Sequence, residues 1–163
     1  MIPEDLGEFH FVIHQAGADD ADAIVAHRIA LYQATQSLHP DQEVIFANAA
    51  RRAFVEGVAN TTCLAWIASS ADTGNVVGSA AMQIVPRLPA PQNLSEAEGY
   101  VAQLFVQPTW RRRGVGSGLM RVILAEARRR KLGRVRLHSS RDAVELYASL
   151  GFQLRTMDME LFL

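Results

Sequence analysis

Residues 104–119 constrain the fold more than any other stretch of this chain. Residues 104–106 are apolar, the run ends at Pro108, and residues 111–113 are three arginines. Glycines then alternate with other residues, and apolar residues recur at the spacing of one helix face, namely Val115, Leu119, Val122 and Ile123. The pattern predicts a strand, a loop and a helix in direct succession.

The loop has the composition of an anion-binding turn. Glycines at 114, 116 and 118 leave a helix N-terminus free of side chains, so its unpaired N–H groups can close on an oxyanion. Three arginines at the positive end of a helix are unfavourable by a few tenths of a kcal/mol each unless an anion neutralises them. We therefore predict a bound phosphate group here, with an ordinary strand-to-helix turn as the alternative.

The charges of the chain are separated along the sequence. Residues 111–141 contain eleven Lys or Arg and one acid, Glu126, whereas residues 1–110 contain four bases and twelve acids. The net charge of the whole chain is only −1. One region is therefore suited to a polyanion and the other to a cation. Residues 128–131 are a basic cluster at the end of the predicted helix, where cations are favourable in any case, so we leave them out of the site.

Composition narrows the class of protein. A chain of 163 residues with 49% hydrophobic content and no apolar run of membrane-spanning length predicts one soluble globular domain. The acidic N-terminus predicts no secretory signal, and the one cysteine, Cys63, reads as a small core residue, which fits a cytoplasmic protein. No Cys/His cluster has metal-ligand spacing, so no metal is expected.

Periodicity and turn signals predict the remaining elements. Strands are expected at 10–15, 62–69, 76–85, 100–106, 134–138 and once or twice over 152–163. Helices are expected from Asp19 to about 37, from 41 to 59, from 114 to about 132 with Gly133 as the C-terminal cap, and over 142–150. In the second helix the apolar residues Ile45, Phe46, Ala49, Phe54 and Val58 are expected to face inward. The order is β-α-α-β-β-β-α-β-α-β-β.

Two sequence strings resemble the signatures of a known family. Val-x-Pro-x-x-Arg-x-x-Gly-x-Gly-x-x-Leu, from Val106 to Leu119, resembles the acyl-CoA-binding motif of the GNAT family of N-acetyltransferases. Leu-Tyr-Ala-Ser-Leu-Gly-Phe, from Leu146 to Phe152, is similar to the Leu-Tyr-x-x-x-Gly-Phe near the end of that family. The resemblance implies an α/β GNAT fold in a single domain over residues 1–163, with a mixed central sheet flanked by helices.

The resemblance also implies acetyl-CoA as cosubstrate and a set of site residues. The loop would bind the diphosphate, the strand before it would pair with the pantetheine arm, and an N–H of Leu104 or Phe105 would stabilise the thioester oxyanion. Tyr147 falls on the leaving-group tyrosine of the family, although a core tyrosine with an exposed hydroxyl is an alternative. The implied cofactor-binding residues are Leu104, Phe105, Val106, Arg111, Arg112, Arg113, Gly114, Val115, Gly116, Ser117 and Ser140.

The sequence departs from the family pattern at two places. Many relatives carry a glutamate as general base early in the strand before the loop, where this chain has Ala102 and Gln103. Glu98 or a chain of waters would have to serve instead. Ser140 stands where many members have asparagine, so its hydroxyl would contact the pantetheine arm, or else it lies near a helix N-cap.

The acceptor is expected to be a primary amine, of a small molecule or a peptide. Residues 33–41 and the last strands would line its groove, and the acids Glu96, Glu98, Asp158 and Glu160 would attract it as a cation. Neither nucleic acid nor membrane is expected as a partner, and a homodimer is allowed. Direct transfer in a ternary complex is the predicted reaction, and a non-catalytic acyl-CoA-binding module is the alternative. A nucleotide-binding protein is disfavoured because no Gly-Lys-Ser/Thr follows the glycines.

Overall fold

A computed structural model describes residues 10–155 and 159–162. Within them, five strands and four α-helices follow the order β1-α1-α2-β2-β3-β4-α3-β5-α4. The strands are β1 (Phe11–Ala16), β2 (Cys63–Ser70), β3 (Val76–Pro86), β4 (Ala97–Val106) and β5 (Val135–Leu137). The helices are α1 (Ala21–Ala34), α2 (Glu43–Ala59), α3 (Val115–Arg129) and α4 (Val144–Ser149). The predicted order is therefore confirmed through the short last helix.

One sheet contains all five of these strands in their sequence order. Neighbours from β1 to β4 are antiparallel, whereas β4 and β5 are parallel. The β4–β5 ladder is short and joins only residues 99–101 to residues 135–137. Beyond residue 101, β4 has no strand beside it on that edge in the described part of the chain. The sheet is therefore open along the second half of β4.

Helices cover both faces of the sheet. On one face α3 and α4 pack over a core that includes Leu64, Trp66, Met82, Val101 and Leu119. The inward stripe of α3 follows the predicted spacing, because Val115, Leu119, Met120 and Ile123 are almost fully buried. On the other face α1 and α2 cover a smaller core of Ala, Ile and Cys side chains with one aromatic residue, Phe54. Each large side chain buried in this way stabilises the fold by about 1.5–3 kcal/mol.

A single extra residue in β4 sets which groups face the open edge. Val101 is opposite Met82 and Gln103 is opposite Ala81, so Ala102 has no partner on β3 and forms a β-bulge. The backbone N–H of Gln107 donates to the Val77 carbonyl on β3. Since the N–H and C=O groups of successive strand residues point to opposite sides, those of residues 104 and 106 point away from β3. The bulge thus leaves two backbone positions of β4 available at the open edge.

The predicted C-terminal strands are not found in the residues that can be checked. Residues 152–155 and 159–162 form no strand, and residues 156–158 and 163 lie outside the described part of the chain. A strand needs a paired neighbour that buries alternate side chains, and apolar alternation alone does not supply one. Leu154, Leu161 and Phe162 accordingly remain 77%, 83% and 90% exposed.

Two helix predictions were wrong in detail. Helix α3 ends at Arg129, and Lys131 rather than Gly133 takes the left-handed conformation, with φ of +56°. The Leu132 N–H then donates to the Ala127 carbonyl and closes the helix end, so glycine is not needed for the cap. In α2, Ile45 is 74% exposed and Ala49 is also exposed, so these two residues do not face inward as predicted. None of the helices described is long and apolar enough to cross a bilayer.

Candidate active site

The loop after β4 presents free backbone amides at the start of α3. Arg112 and Gly114 have φ of +61° and +83°, which turns the chain sharply into the helix. The first helical bond near this end is from the Gly118 N–H to the Gly114 carbonyl, at 2.8 Å. The N–H groups of residues 115–117 precede it and have no intrahelical acceptor. The predicted strand, loop and helix are therefore present in direct succession. At the start of α3 the N–H groups of residues 115–117 form an amide cluster suited to an oxyanion.

The three loop arginines project in different directions. The Nε of Arg111 donates to the Val106 carbonyl at 3.2 Å, so this side chain lies along the end of β4. Arg112 is exposed, and the guanidinium of Arg113 lies 5.8 Å from the centre of the Trp110 ring. Arg111 and Arg112 therefore add exposed positive charge to the loop that leads into the amide cluster.

Gly116 and Gly118 are glycines for different structural reasons. A Cβ on Gly118 would lie 3.2 Å from both Phe11 and Ile13, so this glycine lets α3 approach the sheet. A Cβ on Gly116 would lie at ordinary contact distance, 3.4 Å from Leu146 and 3.8 Å from Val106. Packing therefore explains Gly118 but does not explain Gly116, which remains available for a close approach by a ligand.

Tyr147 lies on α4 next to this loop. Its side chain is only 8% exposed, and its ring packs edge-to-face against Phe152 at 5.8 Å. Burial raises the pKa of the Tyr147 phenol above its ordinary value, so the hydroxyl keeps its proton at neutral pH. No hydrogen bond of its hydroxyl is found within the described residues, and Tyr147 is one of the residues that line a groove of about 1190 Å³, which also reaches Tyr100 and His138. The geometry leaves this proton free for a ligand.

The predicted pantetheine strand has two kinds of residue. Leu104 and Val106 direct their backbone groups to the open edge and their side chains into the α3 core. Phe105 instead pairs with Ser79 on β3, and its ring lies on the α1 face, 4.6 Å from the ring of His27. Of the two N–H groups considered for the oxyanion, the geometry favours that of Leu104.

A buried polar network that the sequence did not predict fixes Gln103. Its amide nitrogen donates to the Ile24 carbonyl at 3.1 Å and to the Ser79 hydroxyl at 2.9 Å. Since the hydroxyl already accepts there, its own hydrogen is available to Nδ1 of His27, 2.9 Å away. Burial lowers the pKa of His27, which keeps this imidazole neutral and able to accept. The polar residues Ser79 and Gln103 at inward positions of strands were the only sequence signal.

Glu98 is held by arginines rather than free to act. Its carboxylate accepts from Nε of Arg134 at 2.6 Å and from Nε of Arg136 at 2.9 Å, and Nε of Arg87 lies 3.7 Å away. Burial is the largest single influence and raises the pKa of Glu98, but the Arg134 and Arg136 interactions together outweigh it and lower the net pKa. Both oxygens are engaged, and these contacts favour a structural role over proton transfer.

The other predicted residues are not gathered at one point. Ser140 precedes a short 3₁₀ turn and makes no side-chain capping bond, while its neighbours Ser139 and His138 line the groove. Glu96 is exposed, Glu160 is exposed in irregular structure, and Asp158 lies outside the described residues. The acidic acceptor groove that we expected is therefore not assembled by the described acids. In the described chain, no group of three or more His, Cys, Asp or Glu side chains is arranged for a metal ion.

Arg28 is a second residue that the sequence analysis missed. Its Nη1 donates to the carbonyl of the bulge residue Ala102 at 2.9 Å, and its guanidinium lies 5.3 Å from the centre of the Tyr32 ring. Tyr32 borders a smaller groove between α1 and α2, lined also by Ser37, Leu38, Gln42, Ile45, Phe46 and Ala49. Helix α1 thus links this groove to the open edge of β4.

Comparison with known sequences identifies related proteins. A model of the acetyltransferase (GNAT) family matches residues 28–152. Glucosamine 6-phosphate N-acetyltransferase of Trypanosoma brucei brucei is 31% identical over 89 residues, which are 55% of this chain and 58% of that protein. The match thus spans less than two thirds of this curated relative.

Solved structures show the same architecture. A GCN5-related N-acetyltransferase from Ralstonia eutropha JMP134 has a TM-score of 0.83 and 22% identity, over 94% of this chain and 98% of that one. A predicted acetyltransferase from Clostridium acetobutylicum, solved with acetyl-CoA, has a TM-score of 0.82 and 22% identity, over 93% and 96% of the two chains. The expected GNAT fold is thereby confirmed.

Proposed function

Because this chain belongs to the GNAT family of acetyltransferases, we propose that it transfers an acetyl group from acetyl-CoA to a primary amine. The amine attacks the thioester directly in a ternary complex, without an acyl-enzyme. The observation that carries the proposal is the open edge of β4 directly beside the amide cluster of α3. Together they offer one continuous surface for an extended ligand with a diphosphate at one end.

The diphosphate of acetyl-CoA is assigned to the start of α3. The free N–H groups of residues 115–117 and the positive end of the helix dipole favour an oxyanion there. Arg111 and Arg112 are exposed beside it and have no carboxylate partner within the described chain. Charge-assisted hydrogen bonds from arginine suit phosphate oxygens particularly well.

The pantetheine arm is assigned to the open edge of β4. Its amides can pair with the backbone of Leu104 and Val106 as an added strand would. The Val106 carbonyl already accepts a hydrogen bond from Nε of Arg111, and Arg111 would leave this carbonyl when the arm pairs with it. The Leu104 N–H then lies where the thioester oxygen gains negative charge during attack.

Tyr147 is assigned as the acid that protonates the departing thiolate. When the amine nitrogen bonds to the carbonyl carbon, the carbon–sulfur bond breaks and the sulfur takes a proton. The Tyr147 hydroxyl has no hydrogen-bond partner within the described residues and keeps its proton because burial raises its pKa. A positioned acid of this kind contributes typically 10²–10⁴-fold in rate.

Removal of the amine proton is assigned to water. Gln103 cannot accept it, because its amide is committed to Ile24 and Ser79. Glu98 was the other candidate, and its two oxygens are engaged by arginines. The groove beside Tyr100 and His138 is open to solvent and gives water access to the attacking amine.

The acceptor is assigned to the face of the sheet covered by α1 and α2. Glucosamine 6-phosphate, the substrate in the name of the trypanosomal relative, is one candidate amine. Several other properties remain predictions, namely a single domain over residues 1–163, a cytoplasmic location, a peptide as the alternative acceptor, a homodimer, and the lack of nucleic-acid or membrane partners.

A non-catalytic acyl-CoA-binding module is the second candidate, and the engaged state of Glu98 and Gln103 favours it. Thiol release from acetyl-CoA, measured across a panel of amines, separates the two functions. If the chain is an acetyltransferase, the rate of thiol release should depend on which amine is present. A rate that is the same with every amine would contradict that function.

Tyr147→Phe tests the acid role within this assay. We expect kcat to fall about 100-fold, because a general acid is lost. Coenzyme affinity and melting temperature should change little, since the Tyr147 hydroxyl forms no hydrogen bond with another described residue. An unchanged kcat in this variant would remove Tyr147 from the mechanism.

A further inference from the structure

The α1 face of the sheet, at β4 and β5, carries more positive charge than the carboxylate of Glu98 can neutralise. Glu98, Tyr100 and Arg136 lie on this face, because the intervening residues Gly99 and Val135 point to the α3 core. Arg87, Arg134 and Arg136 all share the single carboxylate of Glu98. Three guanidinium groups around one acid leave excess positive charge at this point.

This cluster lies close to the open edge of β4. Arg136 is directly opposite Tyr100 in the β4–β5 ladder. Tyr100 precedes the bulge residue Ala102 by two positions, or about 7 Å along a strand. The Tyr100 hydroxyl lies 3.0 Å from Nδ1 of His138, and both residues line the groove next to Tyr147 together with Arg134 and Arg136.

Arg28 brings a further guanidinium to the same face from above. It reaches Ala102 from α1, is only partly exposed, and contacts Tyr32 on its other side. Within the described chain no carboxylate lies at ion-pair distance from Arg28. A partly buried guanidinium without a counter-ion is costly, and an oxyanion held by its fork offsets that cost.

We propose that the acceptor amine also carries an oxyanion, a phosphate or a carboxylate, which Arg28 and Arg136 bind on the α1 face of the sheet. The inference rests on the proposed acetyl transfer and defines its substrate class. The anion would lie between Arg28 at the bulge and Arg136 opposite Tyr100, a span of about 7 Å along β4, which places it several bonds away from a nitrogen that reacts near Leu104. This assignment replaces the expected attraction of a simple cation, because Glu98 is already neutralised by its arginines.

Matched amines that differ only in the anion test the proposal. Glucosamine 6-phosphate is compared with glucosamine, and 4-aminobutyrate with butylamine, so that phosphate and carboxylate are separated. We expect kcat/KM to be at least about 10-fold higher for the anionic member of one pair or both, the gain typical of a charge-assisted hydrogen bond. Equal values within both pairs would overturn the anion site while leaving acetyl transfer intact. No turnover with any amine would overturn both.

Variants then locate the site. Arg136→Gln should reduce the preference for the anionic amine about 10-fold, chiefly through KM, and Arg136→Lys should restore part of it because the charge remains. Arg28→Gln should have the same effect. Arg129→Gln is the control, since Arg129 is exposed on α3 at the other face and pairs with Glu126. A preference that survives both Arg28→Gln and Arg136→Gln would overturn the assignment.

Discussion

Replacing Gly116 by aspartate should affect stability and coenzyme binding in opposite directions. Gly116 is the second residue of α3, and a Cβ there makes only ordinary contacts with Leu146 and Val106. A carboxylate in the first turn interacts favourably with the helix dipole and stabilises the folded helix by about 0.3–1 kcal/mol. Any residue other than glycine also lowers the conformational entropy of the unfolded chain, which stabilises the folded state. The free energy of unfolding should therefore stay the same or rise.

The same carboxylate opposes a diphosphate bound to the amides of residues 115–117. At a separation of about 5 Å and the dielectric constant of water, each pair of unit charges repels by about 0.8 kcal/mol. Two phosphate charges give about 1.7 kcal/mol, or roughly 15-fold in affinity, and a lower effective dielectric would increase the loss.

Calorimetric titration with coenzyme A measures this effect, and Gly116→Asn is the matched control of equal size. We expect Asn to bind within a few-fold of the parent chain and Asp at least about 10-fold more weakly. Raising the salt from 0.1 M to 1 M shortens the screening length from about 10 Å to about 3 Å, so the Asp–Asn difference should narrow. Asp binding as tightly as Asn in low salt would show that the diphosphate lies elsewhere.

Two further substitutions test the packing around the site. Glu98→Gln should lower the free energy of unfolding by about 2 kcal/mol, less than the loss of a fully buried pair because Arg134 and Arg136 are half exposed. The folded state lowers the pKa of Glu98, so the difference in free energy of unfolding between the two chains should be complete above about pH 4.5 and shrink as the pH falls below it. Denaturant titrations measure this difference, and a value independent of pH would contradict the ion-pair account. Gly133→Ala should cost about 1–3 kcal/mol, because its Cβ would overlap the side chain of Asn93. In thermal melts the Asn93→Ala background should remove most of that cost, and simple additivity of the two changes would argue against the clash.

The strand, loop and helix around residues 104–119 were predictable because their signals are local. Pro108 ends the strand, the glycines open the turn, and Val115, Leu119 and Ile123 mark the buried helix face. Each of these preferences acts over a few residues, so the sequence pattern is enough to identify them. The family motif falls on the same stretch and adds the chemistry.

Features that depend on distant partners were not predictable. The role of Glu98 is decided by Arg134 and Arg136, which are 36 and 38 residues away. Glu98 precedes the predicted strand, which suggested a proton acceptor, whereas β4 begins at Ala97 and contains it. The sequence does not show which charges the fold places beside it. Arg28 was missed for the same reason, since its acceptor at Ala102 is 74 residues away.

The end of α3 shows a local signal that misled. Gly133 follows the last apolar turn and has the residue type of a helix cap, yet Lys131 takes the left-handed conformation. The glycine is required instead by Asn93, whose side chain occupies the space that a Cβ would need. A glycine in a sequence marks a steric need, and only the tertiary structure shows whether backbone torsion or a neighbour creates it.

The extra residue in β4 gives this strand one place where its length can change. Val101 and Gln103 already pair with adjacent residues of β3, so deleting Ala102 would leave a regular ladder in which every later residue keeps its face. A deletion between Gln103 and Val106 has no spare residue to remove, so the positions after it would exchange the α3 face for the α1 face. During evolution the strand can therefore shorten at the bulge, whereas loss of a residue nearer the loop would disrupt the hydrophobic interior and the ligand edge in a single event.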